Sequence, residues 1–294
     1  MKKIFLLSLI LLMTLAGLAQ KDKVYNSLEE ALKNPAEVFI LYLNDEKISS
    51  LPEDITTLSN LTTLSLAGNK LKSIPETISK LKNLTELDLS GNKFTSLPES
   101  VANLTSLTEL DLSGNKIQTF PENITRLASL KKLFLNNNKL GDVSGKISKL
   151  TALTELYLYG NELTSLPESL CELTHLTELG LGGNLLFSLP DNISNLVNLR
   201  YLTMPYNRFM TIPASITKLH NLIVLDLNYN RLINLPENIG SLAKLAELYL
   251  ESNKLEALPA SIVNLDHLST INIKGNQYLR LDPAIKKFLD GKKI

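Results

Sequence analysis

The sequence contains few of the residues that build disulfides, metal centres and catalytic sites. Its 294 residues include no tryptophan, three histidines and one cysteine, Cys171. A single cysteine excludes a disulfide within the chain. His175, His220 and His267 lie in separate parts of the sequence, and no third group is placed to orient a Cys171–His175 pair for nucleophilic catalysis. We therefore expect no metal ion, no cofactor and no catalytic activity.

The chain also lacks a net charge, because 30 lysines and arginines balance 30 aspartates and glutamates. A balanced chain has no overall field that attracts a polyanion, so we expect that nucleic acid is not a partner. Long apolar runs are absent as well. The run at residues 4–15 is shorter than the ~20 residues that a membrane-spanning helix needs, and we expect no membrane span.

The first residues instead have the layout of a secretory signal. Lys2 and Lys3 precede the apolar run, and the small residues Gly17 and Ala19 follow it. A basic start, a short apolar stretch and small residues before the cleavage point are typical of a segment that is removed during export. We predict that residues 1–19 are this signal and that the mature protein is periplasmic, on the cell surface or secreted.

The rest of the sequence is dominated by a repeat of 23 residues that runs without insertion or deletion. Residues 84–106 read LTELDLSGNKFTSLPESVANLTS, and residues 107–129 read LTELDLSGNKIQTFPENITRLAS. A fixed period of this length predicts a solenoid, in which each coil buries its apolar side against its neighbours. The ten full copies begin at Leu61, Leu84, Leu107, Leu130, Leu153, Leu176, Leu199, Leu222, Leu245 and Leu268.

Within each copy, apolar residues recur at positions 1, 4, 6 and 11, counted from the opening leucine. Positions 4 and 6 of an extended segment face one side, and positions 3, 5 and 7 face the other. The spacing therefore predicts stacked parallel strands with one core face and one free face. Proline at position 15, with apolar residues at 18 and 21, predicts a short helical or 3₁₀ turn on the outer side. Residues 143–145 replace the proline motif with Val-Ser-Gly, which predicts a local kink there.

Position 9 is asparagine in all ten full copies. A buried amide is costly unless it is hydrogen-bonded. We therefore predict that these side chains bond the backbone of their own and adjacent coils as a ladder. The residues are Asn69, Asn92, Asn115, Asn138, Asn161, Asn184, Asn207, Asn230, Asn253 and Asn276.

The pattern LxxLxLxxNxL followed by LPxxIxxLxx resembles the leucine-rich repeat family, in particular the 23-residue class found in bacterial exported proteins and in Ras-linked scaffolds. This resemblance implies an α/β solenoid, a right-handed curved horseshoe with a concave parallel β-sheet and a convex arc of short helical or 3₁₀ turns. It also implies a recognition scaffold without catalysis.

The domain organisation follows from the repeat. Residues 20–37 are expected to be an N-terminal capping segment, with a short helix that Ser27 and Glu30 cap. Residues 38–290 are predicted to form eleven coils, of which the first is degenerate and the last acts as the C-terminal cap. Residues 291–294 are a basic tail.

The free face of the predicted sheet is acidic although the chain as a whole is neutral. Positions 2, 3, 5, 7 and 8 of the eleven coils hold ten acids and four bases, a net of six negative charges. A basic row at position 10 balances them. Two interpretations are open: the charges are a solvated filling of the repeat, or they steer a cationic ligand to the concave face.

Aromatic residues interrupt the repeat on the same face. Coil seven lies between the coils that carry these aromatic residues and has glycines on this face. We therefore predict a groove that tyrosines line on both sides. Exposed tyrosines are frequent at binding hot spots, although sheet packing alone also favours tyrosine on strands. The predicted ligand-binding residues are Phe134, Tyr157, Tyr159, Gly180, Tyr201, Tyr206, Asp226, Tyr229, Glu247 and Tyr249.

These observations predict an exported, non-catalytic and monomeric scaffold that binds a protein or peptide through its concave face. A glycan ligand and a structural or adhesive envelope protein are the alternatives within binding. A remote alternative is an exported hydrolase, because Asp88 and Asp111 occupy the same position in adjacent coils.

Overall fold

The computed structural model describes residues 22–293. The predicted signal at residues 1–19 lies outside this part of the chain. Residues 22–293 form one open sheet of twelve parallel strands, in which each strand pairs with the next in sequence. The α/β solenoid predicted from the repeat is therefore confirmed. Among the described residues, no helix has the length and apolar content to cross a bilayer.

Each coil contributes one short strand, and equivalent residues of successive coils pair directly. Glu86, Leu87 and Asp88 pair with Glu109, Leu110 and Asp111, for example. The strands are β1 Val24–Tyr25, β2 Ile40–Tyr42, β3 Thr63–Ser65, β4 Glu86–Asp88, β5 Glu109–Asp111, β6 Lys132–Phe134, β7 Glu155–Tyr157, β8 Glu178–Gly180, β9 Tyr201–Thr203, β10 Val224–Asp226, β11 Glu247–Tyr249 and β12 Thr270–Asn272.

The outer side of the solenoid is built from 3₁₀ turns. Proline precedes most of them in an extended conformation, as at Pro98 with φ −64° and ψ 151°, because its ring fixes φ and it needs no N–H partner. The turns are Pro35–Glu37, Glu53–Thr57, Glu76–Lys80, Glu99–Asn103, Glu122–Arg126, Gly145–Lys149, Glu168–Glu172, Asp191–Asn195, Ala214–Lys218, Ile239–Ser241 and Ala260–Asn264.

The kink predicted at residues 143–145 is not present. Ser144 has φ −59° and ψ 138°, close to the values of Pro98. Its hydroxyl accepts a hydrogen bond from the Lys146 N–H at 3.3 Å. Serine therefore reaches the extended conformation of the prolines and also caps the turn that follows.

The core is a continuous column of mainly aliphatic side chains. In the coil that begins at Leu84, that residue, Leu87, Leu89 and Leu104 are buried, and their counterparts in the neighbouring coils are buried with them. Full burial of a leucine side chain stabilises a protein by about 1.5–3 kcal/mol. The repeated leucines therefore fix which side of each strand faces inward.

The asparagines at position 9 connect adjacent coils. Nδ2 of Asn161 lies 3.0 Å from the carbonyl oxygens of Leu135 in the preceding coil and Leu158 in its own coil. Its Oδ1 accepts a hydrogen bond from the Leu140 N–H at 3.1 Å. All ten asparagines are buried, and each donates to the backbone of its own and the preceding coil.

Helices cover both ends of the described solenoid. Helix α1, Leu28–Ala31, follows strand β1, and the hydroxyl of Ser27 accepts a hydrogen bond from the Glu30 N–H. Helix α2, Pro283–Leu289, buries Ile285 and Leu289. Beyond it, Lys293 makes a parallel bridge to Thr270, so part of the predicted basic tail extends the sheet.

Candidate binding face

The free face of the sheet carries the side chains of strand positions 3 and 5. These residues are mostly half-buried, because the neighbouring strands crowd them on both sides. Nζ of Lys132 lies 3.3 Å from a carboxylate oxygen of Glu155 and 4.0 Å from one of Glu109. Lys132 on β6 thus links the acids of the two flanking strands, β5 and β7.

Burial and crowding of acids shift their pKa values upward. Burial raises the pKa of Asp111; the Asp88 charge adds to this, and hydrogen bonds from Ser113 oppose it. Burial likewise raises the pKa of Glu109, although Lys132 acts in the opposite direction. A cation bound beside Glu109 and Asp111 would stabilise their charged forms.

Three of the predicted aromatic residues form a continuous stack across strands β6 and β7. The rings of Phe134 and Tyr157 are 5.1 Å apart and nearly parallel, at 3°. The rings of Tyr157 and Tyr159 are 6.3 Å apart at 20°. The hydroxyl of Tyr157 donates a hydrogen bond to Glu178, and burial with this bond raises the pKa of Tyr157. We call Phe134, Tyr157 and Tyr159 the three-ring stack.

The predicted groove over the glycines of coil seven is closed by Tyr159. A Cβ atom added to Gly180 would lie 2.3 Å from Cε2 of Tyr159, and one added to Gly182 would lie 2.6 Å from its Cε1. The Tyr159 hydroxyl bonds the Thr203 hydroxyl in coil eight. Gly180 is consequently buried beneath a tyrosine ring and does not line an open groove.

Tyr201 and Tyr249 lie on the same face but outside the three-ring stack. The guanidinium carbon of Arg200 is 5.8 Å from the ring centroid of Tyr201. The hydroxyl of Tyr249 donates to Glu247 at 2.6 Å, a bond that with burial raises the pKa of Tyr249 to about 12. Burial raises the pKa of Asp226, and its Oδ1 accepts the Asn228 N–H at 2.9 Å.

Tyr206 and Tyr229 form a separate pair in the turns that follow strands β9 and β10. Their rings are 4.4 Å apart at 5°, and the hydroxyl of Tyr229 donates to Glu251 at 2.8 Å. Both have left-handed backbones, with φ of 56° and 54°, at a position that is glycine in six other coils. A left-handed non-glycine residue costs of order 1–3 kcal/mol. We call these two residues the turn tyrosines.

The predicted aromatic residues therefore do not form one patch: five lie in two separate stacks, and Tyr201 and Tyr249 lie outside both. The hydrogen-bond partners Glu178 and Thr203 were missed in the sequence prediction. Each partner lies two repeat positions before the tyrosine that it bonds, in a later coil: Glu178 is at position 3 and Tyr157 at position 5, and Thr203 is at position 5 and Tyr159 at position 7. This offset is the signal that identifies such partners.

The described residues offer little for metal binding or catalysis. Within residues 22–293, no group of three or more His, Cys, Asp or Glu side chains is arranged to hold a metal ion. Nδ1 of His175 is 3.1 Å from the carbonyl oxygen of Thr151, and Nδ1 of His220 is 3.2 Å from that of Ser241. Cys171 is a buried free thiol.

A protein-family comparison matches the chain to the leucine-rich repeat region over residues 26–112, 84–182 and 187–278. These segments include well over half of the sequence. The protein belongs to the leucine-rich repeat family. A search of curated proteins finds no match.

Solved structures of the same architecture come from several kinds of protein. A leucine-rich repeat protein of Leptospira interrogans is 27% identical, with a TM-score of 0.53, over 93% of this chain and 99% of its own. The Arabidopsis receptor kinase HAESA, in complex with the peptide hormone IDA and the co-receptor SERK1, is 28% identical, with a TM-score of 0.69. In that case 82% of this chain aligns with 46% of the receptor chain. TLR13, in its complex with ssRNA13, is 25% identical over 85% of this chain and 41% of its own, with a TM-score of 0.72.

Proposed function

We propose that the protein is a non-catalytic scaffold that binds a protein or peptide on the concave face, with the three-ring stack at the centre of the contact. The observation that carries this proposal is the stack itself, in which three half-buried rings lie on the free face of the sheet. Rigid aromatic side chains add contact area at a low entropic cost, and for this reason they are frequent at hot spots.

The hydrogen bonds of the stack support a preformed surface. The hydroxyls of Tyr157 and Tyr159 are anchored on coils seven and eight, so neither ring needs to be ordered when a ligand arrives. Preorganisation of this kind raises affinity by lowering the entropic cost of binding.

The charges around the stack favour a ligand with basic groups. Asp88, Glu109 and Asp111 lie on strands β4 and β5, just before the stack, and Lys132 pairs with only part of this acidic surface. An acidic strip attracts cationic side chains and repels phosphates, which supports a basic peptide segment over nucleic acid. The HAESA complex with IDA shows that a related scaffold binds a peptide.

Selection from a random peptide display library tests the proposal. Peptides enriched on the protein should be rich in Lys and Arg, and a Phe134→Ala, Tyr157→Ala double variant should bind them at least tenfold more weakly. Tyr278→Ala is the matched control, since it removes an exposed ring from the last coil. Equal binding by the folded double variant, or enrichment of acidic peptides alone, would contradict the proposal.

Export is part of the same proposal. The basic and apolar layout of residues 1–19 supports it. Expression of the full sequence in a secreting bacterial host, followed by fractionation and sequencing of the N-terminus, tests this point. The expected product begins at Gln20 outside the cytoplasm, whereas a cytoplasmic chain that keeps residues 1–19 would show that the segment does not direct export.

A further inference from the structure

Exposed apolar side chains form a row on the flank of the solenoid, outside the concave face. Phe187, Met210 and Ile233 all occupy repeat position 12, in the consecutive coils seven, eight and nine. Their exposed fractions are 61%, 56% and 36%. The same position is polar or glycine in the six coils before them and in coil ten: Ser49, Lys72, Thr95, Gln118, Gly141, Thr164 and Glu256.

This row belongs to the turn that follows each strand. Positions 9 and 11 of the turn are buried, as at Asn207 and Phe209, so the alternate positions 8, 10 and 12 point outward. Successive turns are bonded to one another through the backbone. The Ile233 N–H, for example, donates to the Met210 carbonyl oxygen at 3.2 Å. The apolar row is therefore part of a regular, supported surface.

The turn tyrosines enlarge this surface. Tyr206 and Tyr229 occupy position 8 of the same coils eight and nine, and both are exposed. Their left-handed backbones are at a position where six other coils use glycine and three use the small residues Asp45, Asn137 and Ser252. A bulky side chain is uncommon in this conformation, so the two tyrosines are the departure from the repeat that points to a use.

Two arginines lie between the tyrosines and the apolar row. Arg208 and Arg231 are at position 10 of coils eight and nine and are exposed. Within residues 22–293, neither guanidinium group has a hydrogen-bond or ion-pair partner. An unpaired guanidinium beside exposed apolar groups is suited to a carboxylate of a partner that also presents apolar side chains.

A second copy of the chain fits this surface poorly. A two-fold contact centred on this surface would bring the arginines of both copies into one interface, because an isologous contact pairs a patch with itself. Like charges facing each other across an interface oppose association. The unpaired arginines favour an acidic partner.

We infer that the flank of coils seven to nine is a second docking surface, which binds a protein segment carrying both acidic and apolar side chains. Phe187, Met210 and Ile233 with the turn tyrosines supply the apolar contact, and the two arginines bind the carboxylates. This surface is distinct from the concave face. It binds an acidic partner, whereas the concave face is proposed to bind a basic one.

Parallel selections from a random peptide display library test the inference. One bait is the unmodified protein, and the other carries Phe187→Ser and Met210→Ser. Both substitutions are at exposed positions, so the variant should fold, as circular dichroism will check. Peptides that only the unmodified protein enriches should combine Asp or Glu with Leu, Ile, Phe or Tyr. If no peptides distinguish the baits, or if the distinguishing peptides lack acids, the inference is wrong.

Charge reversal gives the quantitative measurement. Arg208→Glu with Arg231→Glu should lower the affinity for the selected peptides at least tenfold. Lys116→Glu, at position 10 of coil four, is the matched control and should leave it unchanged. The Phe134→Ala, Tyr157→Ala variant should also bind these peptides normally, so failure of the flank and failure of the concave face are separable. Equal losses in the control and the arginine variant would overturn the inference.

Discussion

The asparagine at position 9 shows how one side chain replaces a set of backbone hydrogen bonds. The chain leaves each strand in a tight turn, where carbonyl groups point into the core without a partner from the sheet. The Asn161 amide donates to the Leu135 and Leu158 carbonyls and accepts from the Leu140 N–H. Asparagine suits this place because its amide has both donors and an acceptor.

Replacement of Asn161 by alanine should destabilise the protein by about 1–3 kcal/mol, since buried backbone groups then lose their partners. Chemical denaturation measures this change in the free energy of unfolding. Asn83→Ala is the control, because Asn83 is exposed and makes one hydrogen bond, to the Ser59 carbonyl. An unchanged denaturation midpoint for the Asn161 variant would show that the asparagine ladder does not stabilise the protein.

The buried thiol of Cys171 should not react with thiol reagents in the folded protein. Burial raises its pKa to about 12, with smaller contributions from Glu168 and Glu172. The pKa of an exposed thiol is about 8.5. We expect no reaction with a thiol reagent at pH 8 and one equivalent after unfolding in guanidinium chloride. Rapid modification of the folded chain would show that Cys171 is accessible.

The same shift makes stability depend on pH. Between about pH 8.5 and 12 the unfolded thiol has lost its proton while the folded thiol retains it, so the folded state binds more protons and stability falls as pH rises. The free energy of unfolding should therefore decrease more steeply from pH 8 to 10 in the unmodified protein than in Cys171→Ala. Parallel curves for the two proteins would contradict this linkage.

At the scale of the strand and its neighbours, the packing of Tyr159 explains why coil seven has glycine at Gly180 and Gly182. The ring occupies the space where the Cβ atoms of Gly180 and Gly182 would be, and its hydroxyl reaches Thr203. One side chain of coil six thus packs over coil seven and is fixed on coil eight, which ties three coils together on the free face.

A double-mutant cycle tests this arrangement. Gly182→Ala should lower the stability of the unmodified protein, because its Cβ would meet the Tyr159 ring. In a Tyr159→Ala background the same substitution should cost less, because the ring contact is gone while Pro205 Cδ stays 3.0 Å from the added Cβ. The difference gives a coupling of about 0.5–3 kcal/mol. Additive effects, measured by thermal and chemical unfolding, would show that the ring and the glycine are independent.

The repeat spacing was enough to predict the strands, the outer turns and the inward direction of positions 4 and 6, because period and burial determine them. It was not enough to predict how the aromatic side chains of the candidate binding face are arranged. Position 7 places Tyr159 on the free face, but its side-chain torsions decide whether the ring lines a groove or closes it. Tyr206 and Tyr229 were assigned to the concave face from their repeat position alone, although the glycine that six other coils have there indicates a left-handed turn. Strand β1 was missed because Val24 and Tyr25 precede the repeat and carry no period.

At the scale of the whole molecule, the two ends of the described solenoid differ from its middle. An internal coil is covered by neighbours on both sides, whereas the last coil depends on helix α2 and on the bridge from Lys293 to Thr270. Solenoid stability is close to a sum of coils and interfaces, so damage to this cap should remain local.

Leu289→Ala should cost about 2–5 kcal/mol at the C-terminal end, because Leu289 is a buried residue of helix α2. Hydrogen exchange should accelerate in strand β12 and remain unchanged in strand β4. Lys287→Ala, exposed on the same helix, is the control and should leave both strands protected. Uniform acceleration along the chain would instead indicate that the solenoid unfolds as one cooperative unit.

The unbroken sequential pairing of the strands has a mechanical consequence. Because each strand pairs only with its neighbours in sequence, a force that pulls the two termini apart peels one coil at a time from an end. Each coil of 23 residues should release roughly 80 Å of contour length when fully extended. A single-molecule force-extension trace should therefore show nearly equal increases in contour length, one for each coil that unfolds. The protein would lengthen under load in fixed increments.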